Sequence, residues 1–337
     1  MTPTVSFIIT AYNEEELIRE KIENILNLDY DSEKLEIIVA SDCSTDRTDD
    51  IVKSYEPSGV QLIRAPKRLG KEGAQKLAVV AASGEILVFS DVSTILTSDG
   101  ITNIVKNFYD STVGCVSSVD RFVNSGNKIS GEGAYVRYEM FLRNLEMNVN
   151  TIVGLSGSFF AARKKVCQNW VSDLQSDFST LLNSVKIGLR GVSDPQSIGY
   201  YRNIASGKKE FDRKVRTVLR GITVFMKNWQ LLDPFRYRFF SWQFFSHKLC
   251  RWLVPFAMIF AFFISGLLIS NSVFYHIIFV LQIIFYAIAV VGISTAFSRY
   301  PLFKIPAFFV MVNLSILNAW YRYLRGERVI SWTPSKR

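Results

Sequence analysis

Three short clusters of acidic and hydroxyl residues could do chemistry: Tyr12-Asn13-Glu14, Asp42-Cys43-Ser44-Thr45-Asp46 and Asp91-Val92-Ser93. Each follows a run of buried-type apolar residues. In an open α/β sheet the carboxyl ends of the strands form the crevice where ligands bind. A carboxylate there can ligate a divalent cation, and the cation can hold a nucleotide diphosphate. Together the clusters would line one crevice able to take a nucleobase, a ribose and a diphosphate in succession. Each alone also reads as a solvated turn, with Ser44 or Thr45 suited to cap a helix. No GxGxxG follows the first apolar run and no GxxxxGK[ST] occurs anywhere, which argues against a dinucleotide site or a P-loop.

The elements that must position these residues alternate. Val5 to Thr10 is β-branched and aromatic and predicts a strand. Leu17, Ile18, Ile22, Ile25 and Leu26 fall at helical spacing within Glu14 to Leu28. Strands are expected at Leu35 to Ala40, Val60 to Ile63 and Ile86 to Phe89, with a short helix ending near Tyr55 and a small-residue helix from Gly70 to Ala82. Strands alternating with helices mean a mostly parallel, doubly wound sheet. Beyond it the pattern predicts a helix at Ile101 to Tyr109, a strand at Val113 to Val119 and an amphipathic helix from Gly133 to Met147. A Gly/Ser-rich loop leading into a strand (154–162), a helix from Ser176 to Gly188 and a basic helix from Lys208 to Trp229 complete this part.

Composition changes near residue 233. Residues 1–232 hold 28 Lys and Arg against 28 Asp and Glu, whereas 233–337 hold 11 against only Asp233 and Glu327, so the whole +9 excess sits in the last third. Basic residues interleaved with long apolar runs point to anionic lipid and away from nucleic acid. The 49% hydrophobic content fits a membrane protein. Phe235 to Cys250 mixes aromatics with Arg236, Arg238 and Lys248, which suits a segment (233–252) lying in the membrane interface. Apolar runs at about 253–270 and 273–297 are each near the length of a span and a third at 305–321 is shorter, so two or three helices are expected within a membrane region of 253–325 that ends in a basic tail (326–337). Lys248, Arg251, Arg299 and Lys304 flank the first two runs and place the ends of that hairpin in the cytosol. For the third run two rules disagree: hydropathy favours another span, while Arg322, Arg325, Arg328, Lys336 and Arg337 favour keeping the tail inside. Four cysteines without a CxxC pair fit reduced thiols, and the apolar start without a basic leader predicts a cytosolic first domain, 1–232.

The order of motifs resembles family 2 glycosyltransferases. It runs through Val5 to Glu15, then Glu36 to Thr48 with its Ser-Asp-Cys-Ser-Thr-Asp core, Gly70-Lys71 and Gly84 to Asp91. The resemblance covers about residues 4–230 and implies a GT-A fold, an inverting transfer from a nucleotide sugar, and a polysaccharide, glycolipid or lipid-linked acceptor. It implies that Tyr12, Asn13, Glu14 and Asp42 contact the nucleoside, that Lys71 lies near the phosphates, and that Arg213 and Arg216 form a basic segment over the diphosphate. Asp91 takes the first place of the family's DxD motif, and Asp177 matches the acid that serves as catalytic base. Tyr138 and Glu139 could face the acceptor, though an exposed helical Glu is more often merely solvated.

The resemblance also implies a Mg²⁺ or Mn²⁺ ion at Asp91, but Ser93 stands where the second Asp of DxD belongs, and a neutral hydroxyl is a weak ligand for a hard dication. Cys43 replaces a usual Gly, Lys76 a common Asn, and Ser176 the first acid of an ED pair. The alternative is therefore a weakly active or silent relative that binds nucleotide and partners another glycosyltransferase. Three membrane segments are few for a translocation pore, so a separate flippase or an oligomer is expected as partner.

Overall fold

The computed structural model describes residues 2–123, 134–202, 207–294 and 300–329. The end of the expected second span (295–297), Arg299, and the tail from 330 with Lys336 and Arg337 lie outside the described residues. The chain divides into two compact units, one of residues 1–205, 224–244 and 329–337, the other of 206–223 and 245–328.

The first unit runs β1 (Val5–Ala11), α1 (Ile18–Leu26), β2 (Leu35–Ser41), α2 (Thr48–Lys53), β3 (Val60–Arg64), α3 (Lys71–Ala81), β4 (Ile86–Asp91), β5 (Ile95–Leu96), α4 (Gly100–Lys106), β6 (Val113–Val123), α5 (Ala134–Val149), β7 (Phe159–Arg163), α6 (Ser176–Lys186) and β8 (Arg190–Arg202). These strands form one sheet in the order β3-β2-β1-β4-β7-β6-β8-β5. The first four are parallel, β7 is antiparallel to both neighbours, β8 is parallel to β6, and β5 is antiparallel to β8. The chain moves outward from β1 through β2 to β3, then returns to place β4 on the other side of β1. That reversal is a topological switch point, where the loops at the carboxyl ends of β1 and β4 diverge and leave a crevice.

The sheet is covered on both faces, which is why its central strands are apolar without alternation. Every residue of β1 is buried. Phe7 and Ile9 face α1 through Ile18, Ile22 and Ile25, while Ile8 and Phe89 belong to the opposite cluster with Ala74 and Ala78 of α3. Phe89 stacks between Phe160 at 4.8 Å and Trp170 at 5.1 Å. The entry to β4 needs glycine: a Cβ on Gly84 would sit 2.5 Å from the Ser6 amide nitrogen.

Helix α7 (Gly207–Lys227) crosses the division, with residues 206–223 grouped with the second unit. Three helices, Phe239–Leu267, Val273–Ser294 and Pro301–Leu324, are long and apolar enough to cross a membrane by length and composition. The first begins well before residue 253, because nothing between Phe239 and Val254 breaks a helix. The chain passes through a single wide turn at Phe245–Cys250 instead. Upstream, Asp233 caps the short helix Pro234–Tyr237, and Arg238 at φ +51° ends it. Inside the second unit Gly292 permits close contact, since a Cβ there would fall 2.6 Å from the Phe303 carbonyl oxygen. Ser265 donates to Gln282 at 2.9 Å, and the Trp320 indole donates to the Trp252 carbonyl at 3.1 Å.

Candidate functional site

The loop after β1 is stitched to the loop after β2. Asn13, at φ +52°, accepts from the Thr45 amide at 2.8 Å and donates to the Thr45 hydroxyl at 3.2 Å. The Asn13 amide donates to Ser44 Oγ and the Glu14 amide to Thr48 Oγ1. Asp46, and neither Ser44 nor Thr45, serves the start of α2 by accepting from the Thr48 amide at 3.0 Å. Its carboxylate satisfies an orphan amide while lying at the favourable end of the helix dipole.

Cys43 sits in the left-handed region at φ +62°. Glycine adopts that conformation without the steric cost of about 1–2 kcal/mol that a Cβ meets there. Replacing Cys43 by Gly should therefore raise stability, by up to about 1 kcal/mol once the extra chain entropy of glycine is subtracted. A thermal unfolding midpoint equal to or below that of the parent chain would contradict this account.

Asp42, at the end of β2, is fully buried. Its oxygens accept from the Leu69 amide at 2.7 Å, the Gly70 amide at 3.1 Å and Arg68 Nε at 3.0 Å. The carboxylate thus fixes the loop that enters α3, and Gly70 at φ +81° makes the turn possible. The Arg68 guanidinium lies over the Tyr12 ring, 3.3 Å from its centroid, and so ties the loop after β1 to the Asp42 carboxylate. Arg68 was not legible as a site residue; its place two positions before Gly70-Lys71 was the available signal.

Lys71 opens α3, and its Nζ lies 2.5 Å from Asp91 Oδ1 and 3.2 Å from the Gly157 carbonyl. Burial pulls this ammonium down, but Asp91, with Glu72 and Asp177 adding to the field, outweighs it and holds Lys71 above the ordinary lysine range. Asp91 is held in turn by its amide, which donates to the Ser158 carbonyl at 2.9 Å. Asp177 stands in the first turn of α6, largely buried, and accepts from Gln175 at 3.1 Å. A Cβ on Gly157 would come within 3.1 Å of its Oδ2. Asp91, Lys71, the loop at Gly157 and Asp177 therefore converge on one place.

A further carboxylate joins them that the sequence did not announce. Asp120, near the end of β6, accepts from Ser156 Oγ at 2.7 Å and from Ser158 Oγ. Burial raises its carboxyl above the usual carboxylate range, with the two serine hydroxyls acting against that. The Gly/Ser composition of the loop at 154–158 was the only cue, because small hydroxyl residues there let the loop carry a buried acid.

The remaining candidates lie on helices α3, α5 and α7. Tyr138 is 56% exposed on α5, Glu139 is partly exposed beside it, and Lys76 is exposed on α3. Arg213 and Arg216 lie on α7 among the residues of the second unit. Burial, with Arg220 and Arg213 alongside, lowers Arg216 from the ordinary arginine range.

For a metal, the donor set is thin. Among the described residues no group of three or more His, Cys, Asp or Glu could hold an ion. Asp91 offers one carboxylate, already on Lys71, and Ser93 a neutral hydroxyl. That set fits a Mg²⁺-like ion held by one carboxylate and substrate phosphates, and does not fit an ion caged by protein alone.

Residues 6–170 match the family model "Glycosyl transferase family 2". The chain is 28% identical over 195 residues to a poly-beta-1,6-N-acetyl-D-glucosamine synthase of Staphylococcus aureus, an alignment that takes in 56% of this chain and 46% of that protein. It is 26% identical over 184 residues to a beta-monoglucosyldiacylglycerol synthase of Nostoc, taking in 52% of this chain and 39% of the relative. The chain thus spans less than half the length of these curated relatives. Among solved structures, the mannosyltransferase PcManGT of Pyrobaculum calidifontis, in complex with GDP-Man and Mn²⁺, superposes with a TM-score of 0.76 at 21% identity, over 97% of this chain and 89% of that one.

Proposed function

Because the chain carries a glycosyl transferase family 2 domain on a GT-A fold, we propose that it is a membrane-anchored inverting glycosyltransferase. Its donor is a nucleotide diphosphate sugar, a UDP-sugar first among them. Its acceptor is a hydroxyl of a polysaccharide, glycolipid or lipid-linked saccharide at the cytosolic face. The observation that carries this reading is the single ammonium of Lys71, which contacts Asp91 and the Gly157 loop and feels the charge of Asp177.

The chemistry follows from these groups. A hydroxyl is a poor nucleophile near neutral pH, so a carboxylate must take its proton as it attacks the anomeric carbon. Asp177 is suited to that, because its Oδ2 lies against the Gly157 loop that also receives Lys71. The leaving nucleoside diphosphate develops negative charge, which Lys71 meets at the floor of the crevice. Tyr12 and Arg68 offer a stacking surface to the base, Asn13 and Glu14 border the ribose, and Asp42 keeps the loop beneath them in place. Tyr138 and Glu139 face the acceptor side. A single displacement inverts the anomeric centre without a covalent enzyme intermediate. A Mg²⁺ or Mn²⁺ ion held by Asp91 and Ser93 would neutralise diphosphate charge as a Lewis acid. Lys248 and Arg251, ahead of the most apolar stretch of the first long helix, and Lys304, in the first turn of the third, favour a cytosolic catalytic unit. Export of a product would fall to a separate flippase or to an oligomer.

The test is a nucleotide-sugar screen on membranes containing the chain, with and without Mn²⁺. Transfer from at least one donor is expected. Mn²⁺ binding by calorimetry should appear only when the nucleoside diphosphate is present; saturable micromolar binding to the free chain would overturn the one-carboxylate site. A second reading, a silent nucleotide-binding partner of another glycosyltransferase, draws on Ser93 and on the engagement of Asp91 by Lys71. Binding of UDP or GDP without turnover of any donor would establish it.

A further inference from the structure

One charged residue interrupts the apolar face of α1. Ile18, Ile22 and Ile25 are fully buried there, and so is Lys21 between them. Lysine is almost never fully buried unless it is paired. The Lys21 chain passes the Phe7 ring, with Nζ 5.4 Å from the ring centroid. It ends on two neutral acceptors, Ser90 Oγ at 2.8 Å and the Thr94 carbonyl at 2.5 Å. Those acceptors bracket the turn Asp91-Val92-Ser93. One helical turn further along, Asn24 reinforces the same segment, donating to the Leu96 carbonyl at 3.0 Å and accepting from the Leu96 amide at 2.9 Å. An apolar residue at position 21 would fill the space without a desolvation cost, but it would leave the Thr94 carbonyl unmet.

We propose that Lys21 is a positioning residue for glycosyl transfer: from beneath the sheet it clamps both ends of the turn that carries Asp91 and Ser93, and so sets where the Asp91 carboxylate meets Lys71 and the donor diphosphate. The inference rests on the reading of Asp91 as a donor-site residue. Two further observations support it. Burial drives the Lys21 ammonium down to about 7, and the charge of Asp91 is what opposes that fall, so the two groups sense each other through the turn. The turn is also fixed on its other side, because the Asp91 amide donates to the Ser158 carbonyl and the Thr94 amide to the Asp91 carbonyl. Lys21 is thus the clamp that comes from the opposite layer.

Misplacement of a reacting group by about 1 Å can cost on the order of 100-fold. The Lys21→Met chain should therefore lose about 10- to 100-fold in kcat/KM for the donor, with most of the loss in donor KM and the acceptor KM unchanged. Ser90→Ala removes one of the two clamp contacts and should raise the donor KM less. In the double variant the two losses should fall short of additive, because both act on one turn. A role confined to packing lowers the unfolding midpoint of Lys21→Met but leaves the donor KM of the folded protein within twofold of the parent, and that result overturns the proposal. Should Lys21→Met fail to fold, an unchanged donor KM in Ser90→Ala overturns it equally. A parent chain that binds and turns over no nucleotide sugar sinks the functional reading itself, whereas an active parent with indifferent variants sinks only the clamp.

Discussion

Asp177→Asn should slow glycosyl transfer by about 10²- to 10⁴-fold, the usual contribution of a positioned general base, while leaving the fold and nucleotide affinity in place. The substitution is isosteric, and the amide can still meet Gln175, so the first turn of α6 keeps its packing. What disappears is the only chemistry the amide cannot supply, acceptance of the nucleophile's proton. The measurement pairs initial rates at saturating donor with a calorimetric nucleotide titration. The expected pattern is a collapse of kcat with the dissociation constant nearly unchanged, the signature of an interaction used only in the transition state. Native rates in the variant would assign the proton to another carboxylate, with Asp120 the next candidate.

The second large effect belongs to Asp42 and is of a different kind. Asp42→Ala leaves the Leu69 and Gly70 amides and the Arg68 guanidinium without their shared acceptor. A buried donor stripped of its partner costs about 1–3 kcal/mol. Discounting for the partial exposure of Arg68, a loss of about 3 kcal/mol is expected, a sizeable share of the stability of a typical domain. The loss should reach the site as well, because the loop released is the one that delivers Lys71 to Asp91. Asp42→Asn is the informative companion: it can accept from one amide but not serve two amides and a guanidinium together, so it should fall between the parent and the alanine variant. Unfolding in detergent checks the first claim and nucleotide affinity the second. A stable Asp42→Ala chain with parental affinity would mean that the loop is held by something other than this carboxylate.

The central strands were legible because they are buried on both faces. Val5–Ala11, Leu35–Ser41 and Ile86–Asp91 each extend an apolar run seen in the sequence by one or two residues, and the edge strand Val60–Arg64, only partly buried, extends its run by one. Helix α1 starts at Ile18 and not at Glu14, because the intervening acidic residues belong to the loop tied to Ser44 and Thr48. Strand β8 escaped notice for an opposite reason. It carries Gly191, Asp194, Pro195 and Gly199 in place of an apolar run, and proline and glycine speak against a strand interior. It is a strand because β6 offers it a partner, with a register shift between Ser117 and Val119.

The same contrast holds at the site. Asp42, Lys71, Asp91 and Asp177 could be named from motif order. Arg68, Asp120 and Lys21 could not, since what marks them is contact with residues tens of positions away. Lys21 in particular is one of several charged residues along α1, and its contacts with Ser90 and Thr94 alone set it apart.

The ion pair between Lys71 and Asp91 gives the crevice a counter-charge of its own. On the proposed reading, a diphosphate would have to take that ammonium from a carboxylate, so a weakly held anion such as inorganic phosphate would gain little foothold. The pair would thus act as a built-in competitor that sets a threshold of charge for anything entering the crevice.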